Sequence, residues 1–294
     1  MLDLKTLNYF VTVSDQLSYS KAAQLLHISQ PSLSNAIKNL EHEVGSPLLE
    51  RSTRKIQLTD AGKILYKKSV QLISQMDILK KEMGEVKLVG SGVLHIGMIE
   101  SVKHWIPKVL SEYQVRFPSI KIKLMEVLSG KDVNDSLRNY SSHVIITNQY
   151  VFEEDIESKP LYHERLVLVL PKDHPLSQKE SIEIKELERE PFIICTEGFQ
   201  TREDILEAFQ HEQATPNLKY EIERFETAIT LVRENLGITI IPENYLRGPK
   251  DESVVWRTLD SPSLERTVYL TYLKNRFLAP SIQVFIEDIL WRFG

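Results

Sequence analysis

The sequence predicts an α/β chain: an N-terminal winged helix-turn-helix, a long connecting helix, and a larger region of alternating strands and helices. Three observations carry this. Two capped helical patterns around a three-residue turn fill residues 18–44; apolar residues recur every seven positions over residues 65–86; strand-like and helical runs alternate from residue 93 onward.

Leu4, Leu7, Phe10 and Val11 outline a first helix that backs the pair. Ser18 or Ser20 can cap the second, whose packing side is Ala22, Ala23, Leu25 and Leu26. His27, Ile28 and Ser29 make the turn; Ser29 offers the next cap, and Pro31 falls where a missing N–H costs little. Over residues 30–43, Leu33, Ile37, Leu40 and then Val44 form one apolar stripe. The opposite side carries Pro31, Ser34, Asn35, Lys38 and His42. Short side chains, amides, hydroxyls and a cation suit a helix entering a major groove, although an ordinary surface helix shows the same two-sidedness. Residues 48–59 then read as two short strands around a basic tip, placing Arg51, Arg54 and Lys55 where a phosphate backbone would pass.

The run AAxxLxxSQPSLSxxIxxLExxxGxxLLxRxxRxxxLTxAG, with Phe10 and Ser18 before it, resembles the N-terminal domain of LysR-type transcriptional regulators. One departure is Leu49, where the family usually has Phe. The resemblance implies double-stranded promoter or operator DNA as a partner. Gln30, Ser34 and Asn35 would meet base edges; Lys38, Arg51 and Arg54 would meet phosphates; Ser20, Pro31, Ser32 and Lys55 complete the candidate contacts. It also implies a homodimer or homotetramer joined through linker helices.

Charge agrees with site-specific binding. The chain of 294 residues has a net charge of −5, yet its first 68 residues are basic and the remainder acidic. The single cysteine, Cys195, lies in an apolar run, so it reads as a small buried residue in a reducing compartment. No secretory leader or membrane-spanning apolar run is apparent, and a cytoplasmic location is expected.

Thr59 and Asp60 can start a helix reaching about Val86, with Leu65, Leu72, Leu79 and Val86 in one heptad row and Met76 and Met83 in the other. Either the helix self-pairs along this seam or it packs on its own domain; its place between two units favours pairing. Residues 89–92, VGSG, form a hinge. Strands at residues 93–98, 120–127 and 143–146 alternate with helices at 105–117 and 133–140, giving a parallel sheet. A second unit begins at residues 166–170 and continues through 191–195, the helix 202–211 and residues 225–242; a final strand and helix occupy 267–273 and 281–292.

By resemblance these are two lobes of a periplasmic-binding-protein-like effector domain. The expected domains are residues 1–59, 60–88 and 89–294, with lobe 1 at 89–161 plus 267–294 and lobe 2 at 162–266. The cleft between them would take a small-molecule effector such as a carboxylate or amino acid. Ser101 and Thr201 are expected as helix caps that also touch the ligand, joined by Ser129, Thr147 and Gln200; each is equally a plain cap or turn residue. Glu100 is awkward for an anion, so either it pairs with Lys103 or the ligand carries a cation. Asn235, ahead of Gly237, and His143, where relatives often have Asp, also depart from the family. No catalytic motif, metal-ligand spacing or cofactor loop appears, so an enzyme is not expected. An architectural DNA protein would need no acidic two-lobed body.

Overall fold

Asp3 accepts the amide of Thr6 and opens α1 (Leu4–Gln16), whose buried side is Leu7, Phe10, Val13 and Ser14. Val13, rather than the expected Val11, completes that face. In this computed structural model, which describes residues 2–51, 56–86, 92–127, 129–247 and 252–293, the chain forms two units, Met1–Gly84 and Glu85–Gly294.

In the first unit α2 (Tyr19–Leu25) is capped by Ser18, not Ser20, and α3 (Gln30–Val44) by Ser29 with Pro31 in its first turn. His27 turns the chain between them at φ 52°, the left-handed conformation. Ala22, Ala23, Leu33, Ile37 and Leu40 close on α1 as one core. Two expected core members fall outside it: Leu25 is 59% exposed and Val44 38%. Each is the last residue of its helix, where the chain turns away; Gly45 ends α3 at φ 71°. β1 (Leu49–Arg51) and β2 (Ile56–Leu58) pair antiparallel, Leu49 opposite Leu58. Glu41 ties this wing to α3 by accepting the amides of Leu48 and Leu49, at 2.8 and 3.1 Å.

Thr59 caps α4 (Asp60–Val86): its Oγ1 accepts the amide of Gly62 at 2.9 Å and donates to the Pro47 carbonyl at 2.7 Å. Along α4, Leu72, Leu79 and Met83 are exposed, whereas Leu65 and Met76 are half-buried. The side chain of Val86 and the hinge expected at residues 89–91 lie outside the described residues.

The second unit opens with β3 (Gly92–Met98), a short 3-10 turn at Glu100–His104, and α5 (Ile106–Arg116). β4 (Ile120–Glu126), α6 (Gly130–Arg138) and β5 (Val144–Thr147) follow, and β3 pairs parallel with both strands. β6 (Ile156–Pro171) is one strand of 16 residues, far longer than the expected 166–170. After β7 (Ser181–Ile182) come β8 (Pro191–Cys195), α7 (Gln200–His211), β9 (Asn217–Ile222), α8 (Phe225–Arg233) and β10 (Ile238–Pro242). β11 (Val254–Leu259), β12 (Glu265–Leu273) and α9 (Pro280–Phe293) end the unit.

The sheet order is β4-β3-β5-β12-β6-β10-β8-β9, with β11 also on β6. The first half of β6 pairs antiparallel with β12, and its second half with β10 and β11. The register slips once, with Val268 opposite Tyr162 and Tyr269 opposite Pro160, which leaves Leu161 as a bulge. Leu161, Val268 and Leu270 belong to one core with α5 and α9; Leu166, Leu168 and Leu170 belong to another with α7. Strand β6 therefore joins two hydrophobic cores, and a cleft lies between them.

Candidate functional site

On α3 the side away from the core exposes Gln30, Pro31, Ser32, Asn35, Lys38 and His42, while Ser34 is half-buried. Ser20 donates to Gln30 Oε1 at 2.9 Å, linking α2 to the start of α3. That bond fixes the Gln30 amide and leaves its NH2 group turned outward to donate. Ser32 shares a 2.8 Å hydrogen bond with the capping Ser29, so its hydroxyl serves the helix end first. At the wing the backbone of Arg51 pairs with Ile56. The Arg51 side chain, Arg54 and Lys55 lie outside the described residues.

The cleft of the second unit narrows to a cavity of about 30 Å³ between Ile99, Glu100, Ser101 and Glu126 on one side and Gln200, Thr201, Glu223 and Phe225 on the other. Ser101 sits inside the 3-10 turn, whose cap position is Ile99, so it is not the cap the sequence suggested. It is 1% exposed, and its Oγ is buried without a hydrogen-bond partner among the described residues. A hydroxyl left so is costly unless something else meets it. Thr201 is likewise not a cap, since Phe199 holds that position in α7. Its Oγ1 accepts from Arg266 Nη1 at 3.0 Å, and its own proton remains to be donated. Gln200 donates to Asp204 at 2.9 Å.

Two expected contacts do not reach this cavity. Ser129 caps α6 in a reciprocal box with Asp132, which takes up its hydroxyl. Thr147 is buried and accepts the Gln149 amide at 3.2 Å. Neither is among the walls. Glu100 and Lys103 form no ion pair: Lys103 lies 3.3 Å from the centre of the Tyr245 ring, and burial holds its pKa below the usual lysine value. Glu100 instead reaches across the cleft and accepts the Phe225 amide at the start of α8, at 3.2 Å. Burial, and next the charge of Glu100, push the Tyr245 phenol upward. Glu126 and Arg224 add an ion pair across the cleft.

Sequence reasoning missed Arg266, which binds Glu164 at 2.8 Å and Asp204 at 3.0 Å. Asn244 also donates to Glu164. The signal was available. Glu164 alternates in phase with Leu166, Leu168 and Leu170, and Arg266 with Val268 and Leu270; the aliphatic residues are fully buried, Glu164 is buried and Arg266 is largely so. A charge in the inward phase of a strand needs a partner nearby. Asn235 adopts φ 58° ahead of Gly237, so the turn survives the departure from small residues. Burial pushes the Cys195 thiol up to about 12, as an inert core residue requires.

A capped helix-turn-helix with an exposed polar helix and a wing, followed by a two-core domain with a polar cleft, defines a two-domain regulator that reads DNA and binds a ligand. The comparisons agree. The family model described as bacterial regulatory helix-turn-helix protein, lysR family, matches residues 4–63, and that of the LysR substrate binding domain matches residues 89–292. The transcriptional regulator AlsR of Bacillus subtilis is 31% identical, with 97% of this chain and 95% of AlsR covered. The Hca operon transcriptional activator HcaR of Escherichia coli is 30% identical, covering 100% and 99%. A full-length OxyR from Pseudomonas aeruginosa superposes with a TM-score of 0.60 at 25% identity, over 98% of this chain and 100% of that one. The chain belongs to the LysR family: it is a transcriptional regulator with a helix-turn-helix DNA-binding region and an effector-binding domain, in a family of regulators rather than enzymes.

Proposed function

We propose that α3 enters the major groove and that the cleft between β6-linked lobes sets how the chain uses that grip. The observation that carries this reading is the exposed row of Gln30, Asn35 and Lys38 beside a wing, on a helix whose other side is wholly core. Gln30 and Asn35 have the paired donors and acceptors that match an adenine edge, and Lys38 suits a phosphate. Ser34 would extend this contact surface, and the resemblance to the family adds Arg51, Arg54 and Lys55 of the wing as phosphate contacts.

The exposed Leu72, Leu79 and Met83 of α4 support a partner helix from a second copy, so that two readers engage two half-sites. Domain limits of 1–59, 60–88 and 89–294 accord with this division of labour. Among the described residues no helix is long and apolar enough to cross a membrane, and a DNA target supports a cytoplasmic location.

Effector binding acts only if the ligand prefers one lobe arrangement. Ser101, Gln200 and Thr201 are the ligand contacts that the cavity supports. The test is fluorescence anisotropy with DNA from upstream of the protein's own reading frame against random duplex. Specific DNA should bind at least about a thousandfold more tightly; equal affinity for both would refute the reading.

A further inference from the structure

The walls of the cleft carry an unusual charge balance for a domain expected to hold a carboxylate. Glu100, Glu126 and Glu223 all line one cavity. The cations near them are already engaged. Arg266 is held by Glu164, Asp204 and Thr201; Arg224 is paired with Glu126; Lys103 lies against the Tyr245 ring. The start of α8, whose free amides would attract a ligand's anion, is filled by the Glu100 carboxylate. Among the described residues one buried group in the wall has no partner: the Ser101 hydroxyl, which can donate or accept.

We propose that Glu100 sets the charge class of the effector, so that this cleft takes a small ligand bearing a protonated amine and turns away simple carboxylates. The inference rests on the effector-cleft reading above. The ammonium group would lie among Glu100, Glu126 and Glu223, and a hydroxyl or amide of the ligand would meet Ser101 and Gln200. A carboxylate entering the same space would face three glutamates and, apart from the start of α7, would have to compete with Glu126 for Arg224 and with Glu100 for the start of α8. The space of about 30 Å³ matches one water, so entry of any ligand parts the Glu100–Phe225 and Glu126–Arg224 contacts.

The test uses the full-length protein and size-matched probes: ethanolamine against glycolate, and 1,4-diaminobutane against succinate, in an amine-free buffer. At about 10 mM, at least one amine should raise the melting temperature by ~2–4 °C while its acid counterpart leaves it unchanged. Glu100→Gln should weaken the amine about tenfold or more and admit the acid. Glu223→Gln, on an exposed side chain, provides the same comparison with less risk to folding. Acids that stabilise the wild type as well as amines do, or amines without effect, overturn the assignment. If acids bind and Ser101→Ala weakens them, the charge assignment falls while the cleft stands. Binding of every probe left unchanged by Ser101→Ala would remove the cleft reading itself.

Discussion

At residue 62 there is no room for a side chain: a Cβ there would stand 2.1 Å from the carbonyl oxygen of Leu48. The same Leu48 carbonyl accepts the Thr59 amide, so wing and α4 are drawn together at this point. Gly62→Ala should therefore destabilise the N-terminal unit by about 1–3 kcal/mol, measured by thermal or urea unfolding. An unchanged midpoint would show that the contact yields freely. Cys195 gives a second prediction at this scale. With its thiol buried and its pKa pushed up to about 12, the native protein should not react with a thiol reagent at neutral pH, whereas the urea-unfolded chain should release one equivalent. Arg266 gives a third. Arg266→Met leaves Glu164 buried and unpaired, and should cost about 3–5 kcal/mol. Glu164→Gln with Arg266→Met together should cost less than the two singly added, as a double-mutant cycle would report.

Elements differ in how openly the sequence declares them. α3 was legible because its cap, its Pro31 and its Leu33, Ile37, Leu40 stripe all agree. The last stripe member, Val44, misled because periodicity carries no information on where the neighbouring helices stop. β6 was legible only in its second half. Leu166 to Leu170 is a plain apolar run, but Ile156 to Arg165 alternates weakly and contains Pro160, which reads as a break. Its pairing with β12, far away in sequence, is what extends it. The cleft was harder still. Ser101 and Thr201 line the cavity but are not the caps expected of them, since hydroxyls beside helix starts look like caps, and Ser129 is one. For α3 itself, Lys38→Ala should weaken binding to all duplexes alike and lower the slope of log K against log salt by about 1. Asn35→Ala should instead cost about 1–3 kcal/mol on the specific site only, read by anisotropy on matched and mutated operators. If both substitutions act equally on specific and random DNA, α3 does not read bases.

On the scale of the whole molecule, affinity for an operator depends on joining two small readers. Leu72→Lys with Leu79→Lys on α4 should lower the apparent mass in sedimentation and weaken operator binding by about a hundredfold, while each N-terminal unit stays folded. Operator affinity that persists in a monomer would exclude α4 as the pairing element. The acidic second unit is expected to add nothing to phosphate contacts, so deleting no charge there should alter the salt slope.

The long strand that threads both cores has a further consequence. Beyond the Leu161 bulge both faces of β6 are buried: Leu166, Leu168 and Leu170 pack in the core with α7, and Val169 packs in the core with α8. A single inserted amino acid just after the bulge would exchange Leu166, Leu168 and Leu170 with Val167 and Val169 between those two cores, mispacking the distal half while leaving the proximal half intact. Length between the lobes is thus a quantity that evolution can hardly adjust by one, and diversification of this scaffold is channelled into the loops that flank the paired strands.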